Sequence, residues 1–325
     1  MAKYIGRLVD LGIGRETTRG TGVAPTYAVP KVDFSFDDKV TKSRSVAGVG
    51  QISDSEEAFV TTKYGEGDIE GEIRASSFGL LLYALLGTLT TTGPTDSSYS
   101  HAFSLANTNT HTSLSFLVKD SNTTELYKLC MLNELEIEAA LDEIVKFTAS
   151  FMGKQAVGSG ATMPSYSDEY KFTKKHLRIK IAANLAALDA ASAISVKNLM
   201  LTISKNVVLD DVLGTAEPED ILNRQISVEG EIQLNYEDET YKNYMKNNTF
   251  RAMEIAFINT DETIGASTNP SLTLRFPYVD FFDWEPDNAL DEIVSQTISF
   301  KANRDVSGGN QLISTCTLVN TVVSY

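Results

Sequence analysis

Two stretches of this chain are nearly the same twelve residues. Ala140–Phe151 reads ALDEIVKFTASF and Ala289–Phe300 reads ALDEIVSQTISF, identical at nine of twelve positions and offset by 149. Such a pair, outside low-complexity sequence, marks a tandem duplication, so the two halves are expected to fold alike. Other anchors keep the same order. Glu70-Gly71-Glu72-Ile73 recurs as Glu229-Gly230-Glu231-Ile232 at an offset of 159, and SLSF from Ser113 recurs as SLTL from Ser271 at 158. One insertion or deletion accounts for the change in offset.

A length of 325 residues suits two domains of roughly 150 residues each, large enough to bury separate cores. The expected division is a first domain over 1–157, a linker over 158–171 and a second domain over 172–325. The run from Gly153 to Gly160 has the composition of a flexible linker.

Short alternating segments dominate both halves. Val32–Phe36, Asp68–Arg74, Ser113–Val118, Leu126–Met131, Glu134–Glu138 and Ile144–Phe151 read as strands of the first half. In the second half, strands are expected at His176–Ala183, Leu199–Ser204, Ile226–Leu234, Glu254–Ile258, Ser271–Phe276, Phe281–Trp284, Ile293–Phe300 and Leu312–Val323. The Leu-rich segment after Ser76 reads as a short buried helix ended by Gly87, and its polar counterpart is Glu237–Asn248. Residues 37–66 and 88–112 read as loops. The result is an α+β, mainly β fold: two sandwich or barrel domains, each with one short flanking helix.

Residues 1–31 show little periodicity, and their glycines and prolines suggest an extended arm. Gly12, Gly14, Gly20 and Gly22 do not form GxGxxG or GxxxxGK[ST], so a phosphate loop is not indicated. His101, His111 and His176 show no metal-ligand spacing, and no GxSxG is present. Acidic pairs are too common among 43 Asp and Glu to mark an active site. No catalytic residue, metal or cofactor is expected, and Asp142, Glu143, Asp291 and Glu292 read as turn residues. Cys130 and Cys316 lie in apolar surroundings and read as buried free thiols of a reducing compartment. The N-terminal residues lack the apolar core of a signal peptide, and the longest apolar run, Phe78–Leu86, is too short to span a bilayer.

The net charge of −15 argues against a basic nucleic-acid surface, and part of it is patterned. At the offset of 149, Glu134, Glu136 and Glu138 align with Asp283, Glu285 and Asp287. At 159, Glu70 and Glu72 align with Glu229 and Glu231. Side chains alternate across a strand, so each of these strands has an acidic face backed by an apolar one, with Pro286 marking an edge or bulge. Like charges on one strand face repel, yet the pattern survives between halves where much of the surrounding sequence does not. These ten acids are candidates for one shared negative surface.

The phrase GIGRETTRGTGVAPTYAVP, the EGEI strand followed by LLYALLG, the ALDEIV repeat and the run ISKNVVLDDVLGT…ILNRQISVEGEIQLNYEDETYKNY together resemble major tail tube proteins of long-tailed, non-contractile bacteriophages. The resemblance covers nearly the whole chain. It implies a β-sandwich or barrel with a flanking helix, self-association into rings whose sheets join into an inner barrel, and stacking into a virion tail tube that passes double-stranded DNA. A duplicated chain then needs three copies for a pseudo-sixfold ring, the alternative being a ring of six. The partners implied are the chain itself and the tail tip, tail terminator and tape measure proteins, with assembly in the host cytoplasm. The ten acids would face the lumen and let DNA slide. Inter-ring contacts would fall on Gly12, Gly14, Glu16, Thr17, Gly20, Thr21 and Pro25, and on Ala47 and Gly48 of the long loop. The competing reading is a two-domain β-sandwich adhesin or another virion binding protein.

Overall fold

The computed structural model describes every residue except Met1, Ala2, Tyr4, Ser307 and Asn310. The first half runs through β1 (Asp10–Arg15), β2 (Tyr27–Ala28), β3 (Lys31–Phe34), β4 (Asp37–Arg44), β5 (Ala58–Glu72), α1 (Phe78–Leu86), β6 (Gly87–Thr95), β7 (Ser98–Leu105), β8 (Leu114–Lys119), β9 (Thr124–Ala139), β10 (Lys146–Gly153) and β11 (Val157–Gly158). The second half follows with β12 (Leu177–Ala182), α2 (Leu185–Leu188), β13 (Asn198–Ser204), β14 (Val208–Asp210), β15 (Asp220–Leu222), β16 (Ser227–Asn235), α3 (Thr240–Lys246), β17 (Arg251–Ile258), β18 (Ser271–Asp287), β19 (Ser295–Ala302) and β20 (Thr315–Asn320). Strands hold 50% of the residues and helices 8%, so the chain is mainly β. The second half carries α2, capped by the Asn184 side chain, in addition to the expected helix.

One sheet crosses both halves. Its strands run β5–β10–β9–β13–β16–β19–β18, each antiparallel to its neighbours. The halves meet where β9 pairs with β13. A single apolar cluster joins Ile69, Leu135, Ile137 and Phe151 of the first half with Leu201, Ile232, Phe281 and Phe300 of the second. The C-terminal strand β20 pairs with both β18 and β7, so the end of the chain returns to the first half. Tyr325 settles there: its hydroxyl donates to the Ser76 carbonyl at 2.6 Å and its ring lies beside His101.

The repeat occupies matching places. Lys146 pairs with Glu138 as Ser295 pairs with Asp287, and both hairpins bulge at the same step, at Asn133 and at Phe282. The offset of 159 does not hold on the neighbouring strand. Phe151 faces Gly67 on β5, and Phe300 faces Gly230 on β16. Glu229-Gly230-Glu231 is therefore the counterpart of Glu66-Gly67-Asp68, at 163. The four-residue slip arises because residues 66–73 carry the EG-x-I pattern twice in succession. Glycine is required at both places but against different neighbours: a Cβ on Gly230 would stand 2.5 Å from the Phe300 ring, and one on Gly67 2.4 Å from the Phe36 backbone. In both copies ALDE forms the hairpin turn, and only the residues after it are strand.

Several expected loops are strands. The Thr-rich run from Thr88 pairs as the β6–β7 hairpin, since β-branched residues suit the extended backbone. Residues 37–66 form a long hairpin, β4 on β5, whose base is braced by Lys63 N–H donating to the Ala216 carbonyl at 2.7 Å. Val46, Val49 and Ile52 are exposed near its tip.

The N-terminal arm is a correction. Gly12 and Gly14 lie buried in β1, between β2 and β8. The chain doubles back over them so closely that a Cβ on Gly12 would meet Met163 Sδ and Pro25 at 2.7 Å. Glu16 is 5% exposed. Its carboxylate accepts from Gly20 N–H (2.7 Å), Ser113 Oγ (2.6 Å), Ser115 Oγ (2.9 Å) and Leu129 N–H (2.8 Å). Gly12, Gly14, Glu16 and Pro25, expected at inter-ring contacts, thus pack inside their own chain. Thr17, Thr21, Ala47 and Gly48 are exposed, and Gly20 is half-buried.

The expected flexible linker is likewise pinned. Val157 and Gly158 pair with β9, and Tyr166 donates to Asp10 at 3.2 Å. Glu169, 6% exposed, accepts from Ser76 N–H, Ser77 N–H and Ser77 Oγ at 2.9, 2.7 and 3.1 Å. A carboxylate from this segment caps α1, where the helix dipole favours negative charge. Gly87 ends α1 in the left-handed conformation at φ 88°, as expected.

Candidate functional site

The registers place all ten candidate acids on one face of the continuous sheet. Residues directly opposite across a ladder share a face. Glu70 and Glu136 flank Thr148, and Glu136 and Glu229 flank Thr202. Glu72 and Glu138 flank Lys146, Glu138 and Glu231 flank Met200, and Glu231 and Asp283 flank Ser299. Glu134 stands opposite Ser150 and Ser204, Glu285 opposite Thr297 and Asp287 opposite Ser295. The reverse face carries Ile69, Leu135, Ile137, Leu201, Ile232 and Ile298, all buried. Apolar packing against the core therefore fixes which way the carboxylates point.

Further acids belong to this face, among them Glu66 opposite Met152 on β10, with Asp33 and Asp37 opposite Glu70 and Glu66. Asp68 accepts from Ser150 Oγ at 2.5 Å, and Asp280 stands opposite Lys301. Asp68 was legible in the alternation of β5, but the slipped alignment set it against Ser227 instead of Glu231. Asp280 lies beyond the bulge, where strict alternation cannot be followed from sequence. Lys146 and Lys301 stand among these acids, and Arg74 pairs with Glu72 at 2.8 Å. Lys301 Nζ lies 2.6 Å from Glu229, and Lys146 Nζ lies 2.5 Å from Glu143 in the adjoining turn.

The face is not uniform. Glu134, Glu136 and Glu138 are half-buried between β10 and β13, while Asp283, Glu285 and Asp287 are exposed. Burial raises the Glu136 carboxyl above its ordinary range, and the charges of Glu138 and Glu134 push the same way. Ser and Thr hydroxyls separate the carboxylates along the rows, giving a polar, acidic surface with few counterions of its own.

The histidines serve the fold. His101 bonds Thr91 and Asn320, His111 bonds the Leu85 and Ala106 carbonyls, and His176 contacts Asp261. Burial lowers the pKa of His101 and His111. Cys130 and Cys316 are buried free thiols, with burial raising both and pushing Cys316 up to about 12. Among the described residues, no cluster of three or more His, Cys, Asp or Glu could hold a metal ion, and no helix is long and apolar enough to cross a membrane.

The chain is sheet-rich and presents a broad acidic face on its continuous sheet. The family model for phage tail tube proteins matches residues 6–314. The chain belongs to the phage tail tube protein family. No curated protein matches it. Membership identifies a structural protein of the virion tail that assembles into a tube with other tail proteins.

Proposed function

We propose that copies of this chain close into rings, that the rings stack into the tail tube, and that the acidic face lines the bore through which double-stranded DNA passes. One observation carries the reading: acids from β5, β9, β16 and β18 fall on one face of one sheet whose other face is core. DNA carries about one negative charge per 1.7 Å of axis, so a basic wall would hold it. An acidic wall repels it and lets it slide. The matching hairpins and bulges support a tandem duplication, and three copies then give six equivalent sheet units in a closed ring. Axial contacts between rings fall to the tip of the β4–β5 hairpin, including Ala47 and Gly48, together with Thr17 and Thr21. The tail tip, tail terminator and tape measure proteins are the other partners, with assembly in the host cytoplasm before incorporation into the virion tail.

The test is accessibility. Glu231→Cys is treated with a bulky PEG-maleimide before and after assembly, alongside negative-stain imaging of the tubes. The unassembled chain should react readily and the assembled tube should be protected. Equal labelling in intact tubes would place the acidic face outside and overturn the lumen assignment. Particles whose tails contain no tube built from this chain would overturn the assembly reading.

A further inference from the structure

The chain holds one completed seam and two open edges that match its sides. In the completed seam β9 pairs with β13, setting Glu138 opposite Met200, Glu136 opposite Thr202 and Glu134 opposite Ser204. β9 is held on its other side by β10, and β13 by β16. The counterpart of β9 is the Asp283–Asp287 end of β18, which β19 holds on one side. The counterpart of β13 is the segment 33–39. Phe34 faces Ile69 and Asp37 faces Glu66, just as Leu199 faces Ile232 and Thr202 faces Glu229. Among the described residues, neither the outer edge of 283–287 nor that of 33–39 has a strand partner.

We infer that a second copy of this chain supplies the missing partner: the end of β18 in one copy pairs antiparallel with 33–39 of the next, in the register of β9 on β13. This rests on the ring reading above and specifies its contact. Carrying the register across sets Asp287 opposite Ser35, Glu285 opposite Asp37 and Asp283 opposite Lys39.

The open edges fit one another in detail. Asp283 meets Lys39, an acid on a base. In the completed seam the bulged Asn133 accepts from Lys205 N–H at 2.7 Å through its carbonyl. The counterparts of these two residues are Phe282, 53% exposed, and Val40, 43% exposed, so the new seam covers two apolar side chains together. Leu135 and Ile137 are buried in the completed seam, whereas Trp284 is half-buried and Pro286 exposed. A strand laid along this edge removes that difference and also covers its unpaired backbone groups. Glu285 against Asp37 is the one unfavourable pair. Each copy offers one edge of each kind, so the contact is head-to-tail and propagates around a ring.

The experiment is paired cysteine substitution in the full-length chain under mild oxidation. Glu138→Cys with Met200→Cys calibrates the geometry within one chain, because it occupies the completed seam. Asp287→Cys with Ser35→Cys is the matching test between chains, and Asp287→Cys with Lys39→Cys is the out-of-register control. In assembled tubes the test pair should move most of the protein into covalent dimers and closed trimers, and the control pair should not. Tubes that form while the two inter-chain pairs cross-link equally, or the test pair not at all, overturn this contact and leave the tube reading standing. Wild-type protein that forms neither rings nor tubes overturns both. As a check independent of cysteine, Lys39→Asp should abolish assembly and adding Asp283→Lys should restore it; no effect of Lys39→Asp counts against the contact.

Discussion

The two acidic ladders have matching registers and bulges but different surroundings. On β9 each carboxylate sits between two strands, half-buried, above Leu135 and Ile137 in the core. On β18 the matching carboxylates lie at an edge, above Trp284 and Pro286, where Trp284 is only half-covered. Trp284 is tethered by its ring N–H to Gln296 at 2.8 Å and by Lys242 over its face. The difference separates what folding completes from what it leaves to assembly. A strand with both neighbours in its own chain contributes to the stability of the monomer. A strand with one neighbour keeps its apolar residues available for association.

The largest expected contrast comes from truncating the core-facing residue in each ladder. Ile137→Ala removes a side chain that is 1% exposed and should cost about 2–5 kcal/mol, read by urea denaturation of the unassembled chain. Trp284→Ala should cost only about 1–2 kcal/mol there, yet impair tube formation more severely than its effect on folding explains. Equal costs to the monomer would mean that the β18 edge is already closed by its own chain.

A second contrast lies just past each seam. Lys205 is 1% exposed and donates to the Ala84 carbonyl at the end of α1 at 2.8 Å, where the open edge has Val40. Burial pushes the Lys205 ammonium down to about 7, with Arg19 adding to the effect. The unfolded chain keeps its value near 10.5. Between those values the unfolded state binds the extra proton, so stability rises with pH across the window. Wild type should gain several degrees in Tm from pH 6 to 9, and Lys205→Met should lose most of that slope. An unchanged slope would mean that Lys205 stays charged in the folded chain.

Legibility followed locality. The alternation in Glu134–Glu138 and Glu70–Glu72 placed the acids on single faces, because a two-residue period needs no partner to be seen. The α1 segment was equally plain, with its leucines and terminal Gly87. The arm was misread because its glycines answer to Pro25 and Met163, close approaches that only the folded chain creates. Glu16 was expected at an inter-ring contact for the same reason: its donors come from Ser113, Ser115 and Leu129, far along the chain. The pairing of β9 with β13 left no local trace, since either strand could have faced solvent or another copy. The slip from 163 to 159 came from a repeat within β5 that sequence comparison alone cannot phase.

A smaller effect distinguishes the charges of the two ladders. The raised Glu136 carboxyl means that the folded chain holds a proton at pH values where the unfolded chain has released it. Stability therefore falls as pH rises through the window just above the ordinary glutamate value, and the penalty is fully present at neutral pH. Glu136→Gln should remove it, raising neutral-pH stability by roughly 0.2–1 kcal/mol, the scale of one relieved like-charge contact on a sheet face. Denaturation at pH 4.5 and pH 7 separates this from a packing effect, which would shift both equally.

The smallest expected change tests whether the open edge can be made more like the completed seam. Thr202 stands between Glu136 and Glu229 in the completed seam, and its counterpart Asp37 puts acid against acid when Glu285 arrives. Asp37→Thr copies the internal solution at an exposed position, so the monomer should change by less than about 0.5 kcal/mol. Assembly should nonetheless begin at a lower protein concentration, by roughly 0.2–1 kcal/mol per contact, and depend less on salt. Sedimentation across a concentration series at low and high salt reads both. If Asp37→Thr leaves the assembly threshold unchanged at low salt, Glu285 and Asp37 do not meet across the seam, and the register carried over from β9 and β13 is wrong.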